Sequence, residues 1–187
     1  MPTTPEFSRP CAVDRLPAGG FAFDLEAQPA ERAALARRFD LAALDRLVAE
    51  GSVEAVPGGL FEVQGRLRAE FSQRCVVTFE PVPATIDEEF RRLFTREVAP
   101  PAPPDGAEVE IDLDSVDDLP EPLGENGLDL GEVVAEEMAV ALDPYPRAPN
   151  ADAVLAEVAV QAAEEDRGPF AVLAPLRRDR GDGGGAR

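Results

Sequence analysis

Alternation of apolar and polar residues is the clearest pattern in the chain, and it predicts a sheet over residues 52–96. Between Leu60 and Phe71, apolar or small residues fill the odd positions and mostly charged residues fill the even ones. A period of two is expected for a strand with one buried face. Residues 82–94 repeat the pattern, with Ile86, Phe90 and Phe94 in phase. Residues 52–56 read as a further strand, and Pro57-Gly58-Gly59 reads as a turn.

The first 50 residues predict two strands followed by two helices. Residues 6–13 and 20–26 read as short strands around a Pro- and Gly-containing turn. Residues 29–39 predict a helix that begins at Pro29, where proline is tolerated. Residues 41–50 predict a second helix, because Leu41, Leu44, Leu47 and Val48 form an apolar stripe. Asp40 is its expected N-cap, and Gly51 is its expected stop.

The second half combines a polar, proline-rich segment with helices. Residues 73–81 form a compact corner, 97–109 a Pro-rich loop, 109–113 a short strand and 114–127 an acidic, turn-rich stretch. A helix is predicted from Leu130 to Leu142, capped by Asp129 and ended by the prolines after Asp143. Residues 151–165 predict a further helix. The expected class is α+β: an antiparallel sheet, able to curl into an open barrel, with packed helices.

The charge is strongly uneven. The chain carries 37 acidic and 18 basic residues, for a net charge of −19, and every basic residue is arginine. Residues 97–166 alone carry 20 acidic residues and one arginine, Arg147. Such a segment repels phosphate and attracts basic surfaces. It either recruits a basic protein or forms a solvated acidic loop that keeps the protein soluble.

The composition argues against most catalytic chemistry. Histidine is absent, which removes histidine-based triads and the commonest metal ligand. Cys11 and Cys75 are expected to be reduced, partly buried thiols, because two cysteines cannot complete a four-ligand zinc site. The acids around Asp114 lack the glycine and glutamate of a calcium loop. We therefore expect no catalytic residue, no cofactor and no bound metal.

The sequence also predicts a cytoplasmic protein. No apolar run approaches the roughly 20 residues that span a bilayer, and the first residues, Met1–Phe7, lack the basic and apolar regions of a secretion signal. We expect no membrane association. The oligomeric state is left open by the sequence.

Arginines on neighbouring strands give two opposite expectations. Arg66, Arg68 and Arg74, with the arginines at 91, 92 and 96, could form a small phosphate-contacting surface if their strands pair. Alternatively, cross-strand contacts with acids at 62, 70, 87 and 89 would neutralise them.

Three stretches together resemble one protein family. They are Gln73-Arg74-Cys75-Val76-Val77-Thr78-Phe79-Glu80-Pro81-Val82; then Asp117-Asp118-Leu119-Pro120-Glu121-Pro122-Leu123 with the run from Leu128 to Glu137; and Asp143-Pro144-Tyr145-Pro146-Arg147 with residues 169–174. The motifs follow in order and resemble the YceD family, the large ribosomal RNA subunit accumulation proteins. The last pair resembles an alphaproteobacterial branch. The likeness spans roughly residues 5–176.

The resemblance implies an accessory factor for accumulation of 23S ribosomal RNA or biogenesis of the large subunit, without catalysis. It also implies one domain over residues 1–176, with a flexible Pro-rich, acidic insertion at about 97–127 and a disordered tail at 177–187. Many relatives carry cysteine pairs that suggest zinc. Here only Cys75 remains at the corner and positions 144–150 hold no cysteine, so we expect packing to hold the corner.

The candidate partners are a basic ribosomal protein or precursor 23S rRNA. The alternative is an acidic protein-interaction module without a ribosomal role. The candidate interaction residues are Arg66, Arg68, Arg74, Cys75, Glu80, Asp117, Asp118, Glu121, Asp129, Glu132, Glu136, Asp143, Tyr145 and Arg147.

Overall fold

Three long antiparallel strands form the centre of the molecule. A computed structural model describes residues 5–96, 119–124 and 127–165, with the side chains of 161–165 left out. The elements in chain order are β1 (Pro10–Cys11), a 3₁₀ turn (Val13–Arg15), β2 (Phe21–Glu26), α1 (Pro29–Arg38), β3 (Ala43–Val56), β4 (Leu60–Arg74), β5 (Pro81–Thr95), β6 (Glu121–Pro122), β7 (Leu128–Asp129), α2 (Leu130–Ala141) and α3 (Ala151–Glu165).

The main sheet has the order β2-β3-β4-β5-β6. Its first four strands are antiparallel, and β6 runs parallel to the end of β5. This confirms the α+β class. Within the described ranges the sheet stays open, with β2 and β6 at its edges, and does not close into a barrel. A second, two-stranded sheet joins β1 to β7.

The predicted alternation of β4 and β5 is confirmed. Phe61, Val63, Leu67, Ala69 and Phe71 are buried, and the even-numbered residues from 62 to 70 face outward. The buried face is covered by α1, α2 and the N-terminal segment, whose Leu35, Met138 and Phe7 are almost fully enclosed. The opposite face carries the charged side chains and meets solvent. One core therefore lies on one side of the sheet, as expected for a sheet layered with helices.

Two predictions near the N-terminus are wrong. Residues 41–50 do not form a helix, because residues 43–56 belong to β3. A β-bulge between Leu44 and Arg46 explains the misleading pattern. The extra residue brings Leu44 and Leu47 to the same buried face, three positions apart, which imitates helical spacing. The strand predicted over 6–13 is only the two-residue β1 followed by the 3₁₀ turn.

Gly51 lies within β3 and therefore does not end a helix. It faces Gly65 on β4, and a Cβ atom on Gly51 would lie 2.1 Å from the Gln64 carbonyl oxygen. Phe23 and Phe90 flank the pair in the same row of the sheet and cover it from both sides. Glycine here permits close backbone approach rather than a turn.

The helical predictions in the second half are confirmed. Asp129 caps α2, since its Oδ1 accepts hydrogen bonds from the backbone N–H groups of Gly131 (2.9 Å) and Glu132 (3.3 Å). α3 occupies residues 151–165 as predicted. The strand predicted at 109–113, Asp117, Asp118 and the 177–187 tail lie outside the described residues. Among the described helices, none is long and apolar enough to cross a membrane.

Candidate functional site

The turn between β4 and β5 has a fixed backbone. The Cys75 N–H donates to the Glu80 carbonyl (2.8 Å), and the Phe79 N–H donates to the Cys75 carbonyl (3.0 Å). Phe79 adopts a positive φ of 61°, which is unusual for a bulky side chain and is maintained only when surrounding contacts enforce it. The turn thus holds Phe79 outward in a strained conformation.

A second loop, which follows α2, is fastened to this turn. The Asp143 Oδ1 accepts from the Tyr145 N–H (2.8 Å), which closes a local turn. The Val76 N–H donates to the Pro146 carbonyl (2.9 Å), and the Gln73 Nε2 donates to the Asp143 carbonyl (2.8 Å). We call residues 73–81 and 143–150 together the corner. Its two loops behave as one unit because backbone hydrogen bonds link them.

The Cys75 sulfur lies at the centre of the corner and is fully buried. Its Sγ accepts from the backbone N–H groups of Val77 (3.4 Å), Thr78 (3.3 Å) and Ala148 (3.3 Å). Burial alone would raise the pKa of this thiol, but these hydrogen bonds and one from the Thr78 side chain stabilise the thiolate and lower the pKa to about 6. The corner is therefore built around a sulfur atom that accepts three backbone hydrogen bonds.

The residues present at the corner do not make a metal site. Among the described residues, no three cysteine, aspartate or glutamate side chains converge closely enough to hold an ion. Thr78 stands three positions after Cys75, and Ala148 and Asn150 occupy the second loop. Packing of Ala148 and Ala151 against Cys75 supplies the remaining contacts. A zinc ion, suggested by the cysteine pairs of relatives, does not fit this set of donors.

The surface of the corner is both apolar and charged. Val76, Phe79 and Tyr145 are 45, 75 and 73% exposed. Arg147 pairs with Asp152 at 3.0 Å, and the Asn150 Nδ2 donates to Glu80 (3.2 Å). The corner brings six of the candidate interaction residues into one region. They are Arg74, Cys75, Glu80, Asp143, Tyr145 and Arg147.

Arg66 and Arg68 lie elsewhere, on the solvent face of the sheet. Arg66 stands opposite Glu89 and Arg68 opposite Asp87 in the register of β4 and β5. Asp87 contacts both arginines, at 2.5 Å from Arg66 and 3.5 Å from Arg68, while Glu50 takes Arg68 at 2.8 Å. The Arg66 guanidinium lowers the pKa of Asp87. Of the two expectations for these arginines, the structure shows the neutralising cross-strand contacts.

Two of the candidate acids of the second half, Glu121 and Glu136, contact a different arginine, Arg92. Its side chain is 15% exposed and contacts Glu121, Glu136 (2.7 Å) and Glu137 (3.6 Å). Burial raises the pKa of Glu137, against the lowering effect of Arg92. Glu132 instead pairs with Arg38 at 2.6 Å. These contacts tie β6 and α2 to the core side of β5.

Comparison with known proteins adds one finding. A family model described as "Large ribosomal RNA subunit accumulation protein YceD" matches residues 63–177, more than half of the 187-residue chain. The chain belongs to the YceD family. No curated protein and no solved structure matches it. The resemblance drawn from the sequence over roughly 5–176 is thus confirmed from β4 onward.

Every candidate interaction residue lies within the YceD-matched region, yet they separate into three places in the described structure. Two arginines lie on the solvent face, six residues lie at the corner, and four acids lie along α2 and β6. Asp117 and Asp118 fall outside the described residues.

The sequence alone does not show that Phe79 is exposed or that Arg92 is the centre of an ion cluster. Phe79 gave no signal, because a phenylalanine beside a predicted strand is expected to be buried. A surface formed by both Arg91 and Arg92 is not possible, because adjacent strand residues point to opposite faces. The phase of Arg92 with Phe90 and Phe94 could have placed it on the core side.

Proposed function

We propose that this YceD protein is a cytoplasmic accessory factor for 23S rRNA accumulation in the large ribosomal subunit, and that it acts by binding without a catalytic step. The observation that carries the proposal is the family match over residues 63–177, whose description names accumulation of the large ribosomal RNA subunit.

Binding rather than catalysis is favoured by the chemistry of the side chains. The chain has no histidine, and the adjacent carboxylates of Glu136 and Glu137 contact Arg92 in an ion cluster. The cluster has a structural explanation, since it joins α2 and β6 to β5.

A protein partner is favoured over RNA by the charge distribution. RNA affinity depends on cations that neutralise phosphates. The solvent-face arginines Arg66 and Arg68 already contact Asp87 and Glu50, and the net charge is −19. Basic ribosomal proteins complement such a surface.

Deletion of the gene tests the ribosomal role. We expect a lower ratio of 23S to 16S rRNA and fewer large subunits on a sucrose gradient, both restored by the wild-type gene. The matched control is the deletion strain carrying Arg46→Met, a change to an exposed arginine that forms only a 3.7 Å pair with Glu70. An unchanged 23S level in the deletion strain would reject the ribosomal role and leave the alternative of a general acidic interaction module.

A further inference from the structure

Exposed hydrophobic side chains gather at one end of the molecule. Of the eight large hydrophobic residues that are exposed in the described ranges, only Leu119 lies elsewhere. Val76, Phe79 and Tyr145 project from the corner, Val140 lies in the last turn of α2 just before it, and the other three are on α3. Scattered exposed hydrophobics need no explanation, but a concentration of them marks an interaction surface.

α3 contributes an apolar face that the described part of the chain leaves exposed. Ala151 is buried against Cys75 and Ala148, which anchors the first residue of the helix to the corner. Beyond it, Leu155, Val158 and Val160 are 41, 54 and 60% exposed. Leu155 and Val158 are three positions apart and so share one side of the helix. We call the corner together with residues 151–160 the apolar end.

The apolar end is arranged before any partner arrives. Phe79 is held at positive φ by the hydrogen bonds of its turn, and Tyr145 lies between Pro144 and Pro146 in a loop closed by Asp143. Bonds between the two loops fix their relative position. Aromatic anchors that are already ordered bind with a smaller entropic cost than mobile ones.

The charge of α3 indicates which kind of partner can bind to the apolar end. The described side chains of α3, residues 151–160, include the acids Asp152 and Glu157 and no basic residue, and Asp152 pairs with Arg147 at 3.0 Å. A second copy would bring like charges together, and phosphates of RNA would meet the same repulsion. A cationic protein segment with apolar side chains satisfies both the hydrophobic and the electrostatic character of this surface.

We propose that the apolar end is the docking surface for a basic protein, which inserts apolar side chains beside Phe79 and Tyr145 and places lysines or arginines next to the carboxylates of α3. The choice of basic ribosomal proteins as candidates rests on the proposed function. The surface itself is argued from exposure, order and charge.

A binding assay with defined probes tests the proposal. The full chain is immobilised and presented with proteins extracted from purified large ribosomal subunits at about 150 mM salt, where exposed charges are screened beyond roughly 8 Å. Each retained protein is identified and purified, and its Kd is measured against the wild type. The test variants are the pairs Phe79→Ser with Tyr145→Ser, and Leu155→Ser with Val158→Ser.

The matched control is Leu119→Ser, which removes an equally exposed apolar side chain (65%) outside the apolar end. We expect a basic protein to lose about 30-fold in affinity with either double variant, the effect typical of truncated anchor residues, and to bind the control as it binds the wild type. The replaced side chains are exposed, so urea midpoints should remain close to wild type.

Several results would overturn the proposal. They are equal Kd values for wild type and both double variants, loss of 23S rRNA fragment binding in the same variants, or a concentration-dependent dimer that the variants abolish. Complementation separates the two proposals. A deletion strain with a lowered 23S rRNA level that Phe79→Ser/Tyr145→Ser fully restores rejects the docking surface alone. Normal 23S levels in the deletion strain, with binding still dependent on the apolar end, reject the ribosomal role alone.

Discussion

Replacing Arg92 with methionine should destabilise the protein far more than replacing any exposed arginine of the sheet. Methionine retains the apolar stem that lies near the Phe94 ring, 5.4 Å from the guanidinium carbon, but removes the charge. Three carboxylates, on Glu121, Glu136 and Glu137, then face one another without a cation.

The expected loss in the free energy of unfolding depends on how deeply the Arg92 side chain is buried. Arg92 is 15% exposed, whereas its three partners are between 26 and 46% exposed. Removing one partner of a fully buried pair costs about 3–5 kcal/mol, and an exposed pair contributes about 0–1 kcal/mol. The intermediate enclosure predicts a loss of about 2 kcal/mol. With a urea m value of about 2 kcal/mol per molar, the midpoint should fall by about 1 M.

The assay is equilibrium urea unfolding at neutral and at acidic pH, with Arg46→Met as the control. Without Arg92, the folded carboxylates bind protons more tightly than the unfolded ones, so stability should recover as the pH falls toward the ordinary glutamate pKa. Burial already raises the pKa of Glu137, which places the start of this recovery above the usual range. Equal losses in the two variants at neutral pH, or a loss in Arg92→Met that does not change with pH, would refute the reasoning.

Three other changes test the remaining structural claims. Gly51→Ala places a Cβ atom 2.1 Å from a backbone oxygen and should cost about 3 kcal/mol in urea unfolding, whereas Gly19→Ala, with open space around it, should be nearly neutral. Thiolate absorbance near 240 nm in a Cys11→Ser background should titrate with a midpoint near pH 6 for Cys75; a midpoint near 9 would mean that its N–H donors are absent. Because the folded pKa lies below the unfolded value of 9.0, the stabilisation from this thiol should be complete above pH 9 and lost as the pH falls toward 6. Asp129→Ala removes the cap of α2 and acceptors for Ser8 and Arg9, and should cost about 2 kcal/mol by thermal or urea unfolding, while the exposed Asp152→Ala should cost well under half of that.

The sequence predicted the secondary structure correctly where a residue pattern is compatible with one structure only. Strict alternation in β4 and β5 can only be satisfied by strands with one buried face, and Asp129 before an apolar run with prolines after it has few readings besides a capped helix. Residues 41–50 failed because a single inserted residue changed the phase of the strand. A bulge depends on the pairing partner, here Phe71 and Glu70 on β4, and leaves no local signal.

The sequence could not predict how the candidate interaction residues are arranged in space. The corner residues were selected together because they are close along the chain or in family-like motifs. The hydrogen bond from Val76 to Pro146 that joins the two loops forms because α2 ends beside the β4–β5 turn. A sequence pattern does not reveal this tertiary contact. For the same reason the exposure of Phe79 could not be read from its neighbours.

The length of β5 sets the distance between the corner and the other end of the sheet. Pro81 begins the strand at the corner, and Phe94 lies near its other end, where the chain leaves the sheet and later returns as β6. At about 3.3 Å per residue, these two points are about 40 Å apart along the strand. Arg96 and Leu119, the described residues on either side of the acid-rich sequence 97–118, therefore lie toward the end of the sheet opposite Phe79 and Tyr145. A partner that bound both ends of the sheet would have to span about 40 Å.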